Sequence, residues 1–275
     1  MNTIRIALAQ QSAGPEISEN LERALLAMDT AAEAGCGLIA FPELALTRFF
    51  PQHREYPAAR DLAEPIPGPT ADLVAAKARE HGLVTVFNMY EASGGKYYDS
   101  SPVFDADGSL LGVTRMVHIT DYDWFHERAY YAPGDRGAPV YETRIGRVGV
   151  AICYDRHYPE YMRALGVGGA ELVVIPQAGT EDEWPEGMYE AEVRAAAFQN
   201  GYFAALCNRV GKEERLTFAG ESFVVNPVGK VLTRGQRLAD DLIVTDIDLA
   251  ECAASPARTL FWNDRRPELY GDWLA

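Results

Sequence analysis

What most restricts the folds open to this 275-residue chain is a regular exchange of short apolar strands and amphipathic helices, with no linker, charge block or low-complexity tract between them. Residues 4–9 read as a strand. Ser18 is placed to cap a helix with Leu21, Leu25, Met28 and Ala32 on one face, and Gly35 stops it. Residues 37–41 form a short buried strand. Thr70 caps a second helix that runs to Glu80 and ends at Gly82, and residues 83–89 follow as a strand. This βαβαβ order predicts an α/β fold. Further on, 97–104 and 110–118 flank Asp105-Ala106-Asp107-Gly108, a hairpin signal. Residues 147–153 and 171–175 are strands, with Pro159 opening a helix to Leu165 between them. A helix over 185–200 closes at Gly201, and strands follow at 202–208, 222–225, 231–233 and 242–247. Helices layered over mixed sheets, in a single domain spanning 1–275, are the expectation.

Charge excludes one class of partner. The chain carries 40 acidic against 25 basic residues, a net charge of −15, and only four of the basic residues are lysines. Phosphate neutralisation needs clustered Lys and Arg, so nucleic acid is not an expected partner. No apolar run reaches the ~20 residues of a membrane span. Cys36, Cys153, Cys207 and Cys252 are widely spaced with no C-x-x-C, and Met1 leads straight into strand-like sequence, which predicts a reduced, cytoplasmic chain. No phosphate loop, H-E-x-x-H or zinc spacing occurs, so neither metal nor organic cofactor is expected.

Three segments carry candidate chemistry. In Gly149-Val150-Ala151-Ile152-Cys153-Tyr154-Asp155-Arg156-His157-Tyr158-Pro159 an apolar strand runs into a cysteine six residues before a helix. A sulfur at such a sheet edge, near a helix N-terminus and cations, is favoured as the nucleophilic thiolate; a buried structural cysteine is the other reading. Phe41-Pro42-Glu43 places a carboxylate at the same kind of edge, where it serves as a general base or a plain surface acid. Glu127, within Phe125-His126-Glu127-Arg128, has the same two readings.

Together with Tyr131-Ala132-Pro133-Gly134-Asp135, Asn208-Arg209-Val210-Gly211 and Gly220-Glu221-Ser222, these motifs resemble, in family order and over nearly the whole chain, the nitrilase superfamily of carbon–nitrogen hydrolases. The resemblance implies a four-layer αββα sandwich, with Cys153 as nucleophile forming a thioester, Glu43 as general base and Glu127 as a second, positioning glutamate. It also implies Tyr154 as a backbone donor to the oxyanion and assembly into homodimers or larger homo-oligomers, with the C-terminal tail at an interface. The family pattern Arg-Lys-x-His reads Arg115-Met116-Val117-His118 here, so Met116 holds the position of the family's catalytic lysine. Lys77, Lys96, Lys212 and Lys230 lie in helices or loops elsewhere. Losing an oxyanion donor costs roughly 10²–10³ in rate. Arg115, Arg156 or His118 reaching the site, an engineered substitution and a binding-only chain are the three explanations.

The residues after the cysteine are similar to the branches acting on N-carbamoyl amino acids, including β-ureidopropionase. There Arg156 and His157 would hold a substrate carboxylate; a salt bridge from Arg156 to Asp155 or Glu160 is the alternative. Trp124, Tyr130 and the acidic loop 181–186 are candidates to line the pocket. The expected ligand is a small amide or carbamoyl compound, with an amidase for neutral or ω-amide substrates as the rival reading. Ser222 makes a poor nucleophile, because its segment lacks the second glycine of G-x-S-x-G.

Overall fold

A computed structural model of the chain describes residues 3–273. Its strands are β1 (Thr3–Gln10), β2 (Leu38–Ala40), β3 (Val84–Val86), β4 (Met89–Ser93), β5 (Lys96–Phe104), β6 (Leu110–Arg115), β7 (Val140–Thr143) and β8 (Gly146–Val150). They continue with β9 (Leu172–Gln177), β10 (Phe203–Asn208), β11 (Val210–Lys212), β12 (Thr217–Ala219), β13 (Phe223–Val225), β14 (Val231–Arg234) and β15 (Asp241–Asp248). One mixed sheet runs β15-β1-β2-β3-β5-β4, with β6 on β5; the other runs β14-β13-β10-β9-β8-β7; β11 and β12 form a separate ribbon.

Each sheet has a parallel heart, β1-β2-β3 in one and β8-β9-β10 in the other. Helices α1 (Ile17–Glu33) and α2 (Pro69–His81) cover the outer face of the first sheet through Met28, Ile39, Val74 and Phe87. Helices α3 (Pro159–Val167) and α4 (Met188–Asn200) cover the second through Leu165, Val173, Val193 and Ala204. Between the two inner faces lies the main core, which includes Leu8, Val150, Val174 and Phe203. That arrangement is the αββα sandwich. The short helices α5 (Ala250–Ala254) and α6 (Pro267–Trp273) follow β15. Among the described residues no helix is long and apolar enough to cross a membrane.

Several boundaries differ from the sequence reading for local reasons. Neither Ser18 nor Thr70 caps its helix: the caps are Glu16 and Gly68, and Thr70 Oγ1 instead donates to Glu64 Oε1 at 2.7 Å. The most buried face of α1 is Asn20, Ala24, Met28 and Ala31, with Leu21, Leu25 and Ala32 packed at its edge. Asn20 is buried because its amide ties Gly14 to Leu46 across the loops. The strand expected over 83–89 splits at Asn88, whose side chain accepts the Leu44 N–H and donates to Asp99 of β5. Gly82 and Gly201 end α2 and α4 with left-handed φ of 65° and 66°, as their sequence positions imply.

Candidate active site

Strand β8 ends at Val150, three residues before the expected end, and Cys153 opens a 3₁₀ turn, Cys153–His157. Its φ is +42°, a left-handed conformation that costs a non-glycine residue about 1–3 kcal/mol and is kept where surrounding packing enforces it. The turn projects Sγ into the space between the sheets. Gln177 Nε2, at the end of β9, donates to that sulfur at 3.2 Å. Arg156 Nη1 donates to the Cys153 carbonyl at 2.9 Å and to Gln177 Oε1 at 2.8 Å, so thiol, glutamine and guanidinium form one chain of contacts. The N–H of Tyr154 lies in the first turn of the 3₁₀ segment, where donors lack intrahelical acceptors.

Glu43 leaves the end of β2 and is fully buried, as are Glu127 and Asp99 of β5. Glu43 faces both the Asp99 carboxyl and the Cys153 thiol. Among the described residues no N–H donor bonds either oxygen of Glu43, Oδ2 of Asp99 or Oε1 of Glu127; Glu43 shares hydrogen bonds only with the Asp99 carboxyl and the Cys153 thiol. Burial first, then the neighbouring Glu127, pushes Glu43 up to about 8. Asp99 and Glu127 rise well above the carboxylate range, each by desolvation first, then Asp99 by the charge of Glu43 and Glu127 by the charge of Asp99. Burial, then Glu43 and Glu127, also lifts the Cys153 thiol, while Arg156 pulls it down. At rest the cluster therefore stores protons.

The folded chain keeps a proton on Glu43 that the unfolded chain releases above its ordinary value of 4.5, so stability falls as pH rises from about 4.5 to about 8. Glu43→Gln removes that titration; a flatter melting temperature across the window in calorimetry, with the variant the more stable protein at the alkaline end, is the expected result.

Two arginines buttress the acids without reaching them. Arg209, buried at the end of β10, gives Nη1 to the Glu43 and Leu44 carbonyls at 2.9 and 2.6 Å and Nη2 to Thr47 O at 2.9 Å and Glu213 Oε1 at 2.6 Å. Removing it strands a buried Glu213, so Arg209→Ala should lose about 3–5 kcal/mol of unfolding free energy, measurable by urea titration. Arg115 holds Glu91 through Nε and Nη2, Asp135 through Nη1, and the ring of Tyr98. His118 is taken by Asp155 at 2.7 Å and stacks on Tyr158. Neither of them reaches the thiol; of the three groups weighed as lysine substitutes, Arg156 alone draws on Cys153.

Met116 lies buried in the same core cluster as Cys153, and its N–H donates to the Asp99 carbonyl at 2.9 Å. Arg156 does form an ion pair, but with Glu192 of α4 (3.4 Å), not Asp155 or Glu160, and its guanidinium lies over Tyr189. His157 also turns to Glu192, at 2.6 Å. Trp124 is exposed beneath Arg215, and Tyr130 bonds the His53 carbonyl, so neither is brought to the thiol. Trp184 instead packs on His157 and Tyr122. Ser222 is buried and accepts the Asn208 N–H at 2.8 Å, a structural tie. Asp99, Gln177 and Glu192 escaped the sequence reading, and Arg209 entered it only as part of a motif; an acid inside the strand Tyr97-Tyr98-Asp99-Ser100-Ser101, otherwise packed on both faces, is the available signal for the first.

The sequence profile of the carbon–nitrogen hydrolase family matches residues 5–257. The chain belongs to the carbon–nitrogen hydrolase family. It is 32% identical over 286 aligned positions to a citrullinase of Francisella tularensis subsp. tularensis, covering 99% of this chain and 98% of that one. To an N-carbamoylputrescine amidase of Solanum lycopersicum it is 29% identical, covering 97% and 93%. A crystal structure of a carbon–nitrogen hydrolase from Helicobacter pylori G27 superposes with a TM-score of 0.93 at 28% identity over 99% of both chains. The protein is thus a carbon–nitrogen hydrolase of the nitrilase superfamily, with amidases among its relatives.

Proposed function

We infer that this hydrolase attacks the carbamoyl or amide carbon of a small substrate with Cys153 and releases ammonia or an amine through a thioester. The observation that carries the reading is the Cys153 thiol on a left-handed turn, within hydrogen-bond reach of a fully buried Glu43. Glu43 accepts the thiol proton as the S–C bond forms and passes it to the leaving nitrogen as the C–N bond breaks. Water then enters; Glu43 takes its proton, the new C–O bond displaces sulfur, and the proton returns to the thiol. Arg156 and Gln177 favour the thiolate, the Tyr154 N–H fits the developing oxyanion, and Glu127 positions the substrate. The two relatives above carry names specifying ureido compounds, which supports an N-carbamoyl substrate.

One observation favours the amidase reading for substrates without a carboxylate: Arg156 and His157 already face Glu192. An Arg156 serving the thiol predicts that Arg156→Ala lowers kcat by about 10²-fold with little change in KM, whereas an Arg156 holding substrate raises KM. Steady-state ammonia release from N-carbamoyl amino acids and simple amides measures both. The outward residues Val167, Phe198 and Leu260 are exposed apolar surface on α3, α4 and the C-terminal segment, and fit pairing of two copies there.

A further inference from the structure

Among the described residues four carboxyl oxygens at the centre of the site receive no N–H donor: both of Glu43, which meets only the Asp99 carboxyl and the Cys153 thiol, Oδ2 of Asp99 and Oε1 of Glu127. Among the described residues, the Tyr131 hydroxyl is the one unengaged donor whose electrostatic neighbours are all three acids. Arg115 is engaged by Glu91 and Asp135, and Arg209 by carbonyls and Glu213 through both Nη atoms; Arg156 spends Nη1 on the Cys153 carbonyl and Gln177 and pairs with Glu192, and its unbonded Nε and Nη2 act on the thiol rather than on the three acids. Met116 adds only apolar surface. Burial keeps these carboxyls protonated at rest, and a cation with N–H donors placed among them would satisfy their ionised oxygens, so this cluster is complementary to a ligand rich in N–H and positive charge. Nearby, a cavity of about 500 Å³ borders Gln177, the donor to Sγ. Its lining holds Glu181, Asp182, Glu186, Glu190 and Glu221 against Arg234 and Arg237, which pair with Glu190 and Glu181.

Building on the Cys153 hydrolase reading, we propose that the group this site prefers is a planar cation, an amidinium or guanidinium, over the neutral amide or ureido group of the same shape. A ureido group brings three N–H donors and an oxygen that itself needs donors. A monosubstituted guanidinium brings five N–H donors, no acceptor and a positive charge. Its charge beside the thiol also does electrostatically what an ammonium at position 116 would do. The steps balance. The thiol proton passes through Glu43 to one terminal NH₂ as the sulfur bonds to the central carbon, and ammonia leaves the tetrahedral adduct as its C–N bond breaks, giving a cationic S-amidino intermediate. Water adds to that carbon, Glu43 takes a water proton, and the C–S bond breaks to return the thiol and a neutral ureido (or amide) product. The proton left on Glu43 passes to solvent, where the ammonia released earlier takes it up as ammonium. The product has lost the charge that held it, which favours release.

Matched pairs test this: arginine with citrulline, agmatine with N-carbamoylputrescine, benzamidine with benzamide. Ammonia release is followed with the native protein, Cys153→Ala, Met116→Lys and the milder Asp99→Asn, each checked for folding by its melting curve. The expected result is a Cys153-dependent kcat/KM at least about tenfold higher for the cationic member of a pair. Met116→Lys should reverse the preference by placing a fixed cation beside the acids, and Asp99→Asn should weaken it. A preference below tenfold, or one for the neutral member, overturns the proposal while leaving the hydrolase reading intact. Silence from every pair rejects the hydrolase reading, and protection of Cys153 from iodoacetamide then decides the site's charge. Protection by benzamidine at concentrations where benzamide gives none upholds the cationic preference; equal protection, or none, overturns it.

Discussion

Cys153→Ala should abolish ammonia release, with kcat/KM falling by on the order of 10⁴–10⁶, because no other nucleophile stands at the site. Cys36, Cys207 and Cys252 are buried in packing positions with thiols raised chiefly by burial, and Ser222 is held by the Asn208 N–H. The loss should come with an unchanged fold: alanine relaxes the left-handed corner no further than cysteine did, and the Arg156–Gln177 bond does not depend on sulfur. Circular dichroism and the melting temperature of the variant separate lost chemistry from lost structure. Retained turnover in a folded Cys153→Ala protein would move the nucleophile elsewhere.

Glu43→Gln should lower kcat/KM by about 10²–10⁴, the usual contribution of a general base. Its signature is in the pH profile. Glu43 must be ionised to accept the thiol proton and is held up to about 8, so native kcat/KM should climb about tenfold per pH unit below that value and level above it. In Glu43→Gln that limb disappears. A profile whose acid limb survives the substitution would assign it to another group of the cluster, Asp99 first, since Asp99 faces Glu43 directly.

Much of the architecture could be read from local pattern. The strand–helix exchange, Gly82 and Gly201 as stops, and the Asp105–Gly108 hairpin turn all act through neighbouring residues, and all reappear in the folded chain. The motifs around Glu43, Glu127 and Cys153 were equally legible, because each ends a strand or opens a turn at one edge of the sandwich. What the sequence concealed depends on tertiary approach. Glu192 lies 35 residues beyond His157 on a helix whose periodicity says nothing of a partner, yet it meets both His157 and Arg156. Asp99 is invisible as a site residue until β5 stands between β3 and β4 and turns that carboxyl toward Glu43. Arg209 read as part of a motif, but its task, clamping the loop that carries Glu43 from the opposite sheet, requires both sheets in place.

Covalent catalysis by Cys153 is decided by intact-protein mass spectrometry of Glu43→Gln quenched during turnover of an amide or amidine substrate. With water activation impaired, the intermediate should accumulate as a mass increase equal to the acyl or amidino group, localised by peptide mapping to the segment containing Cys153. An unmodified mass during demonstrated turnover, or an adduct on any other residue, contradicts it.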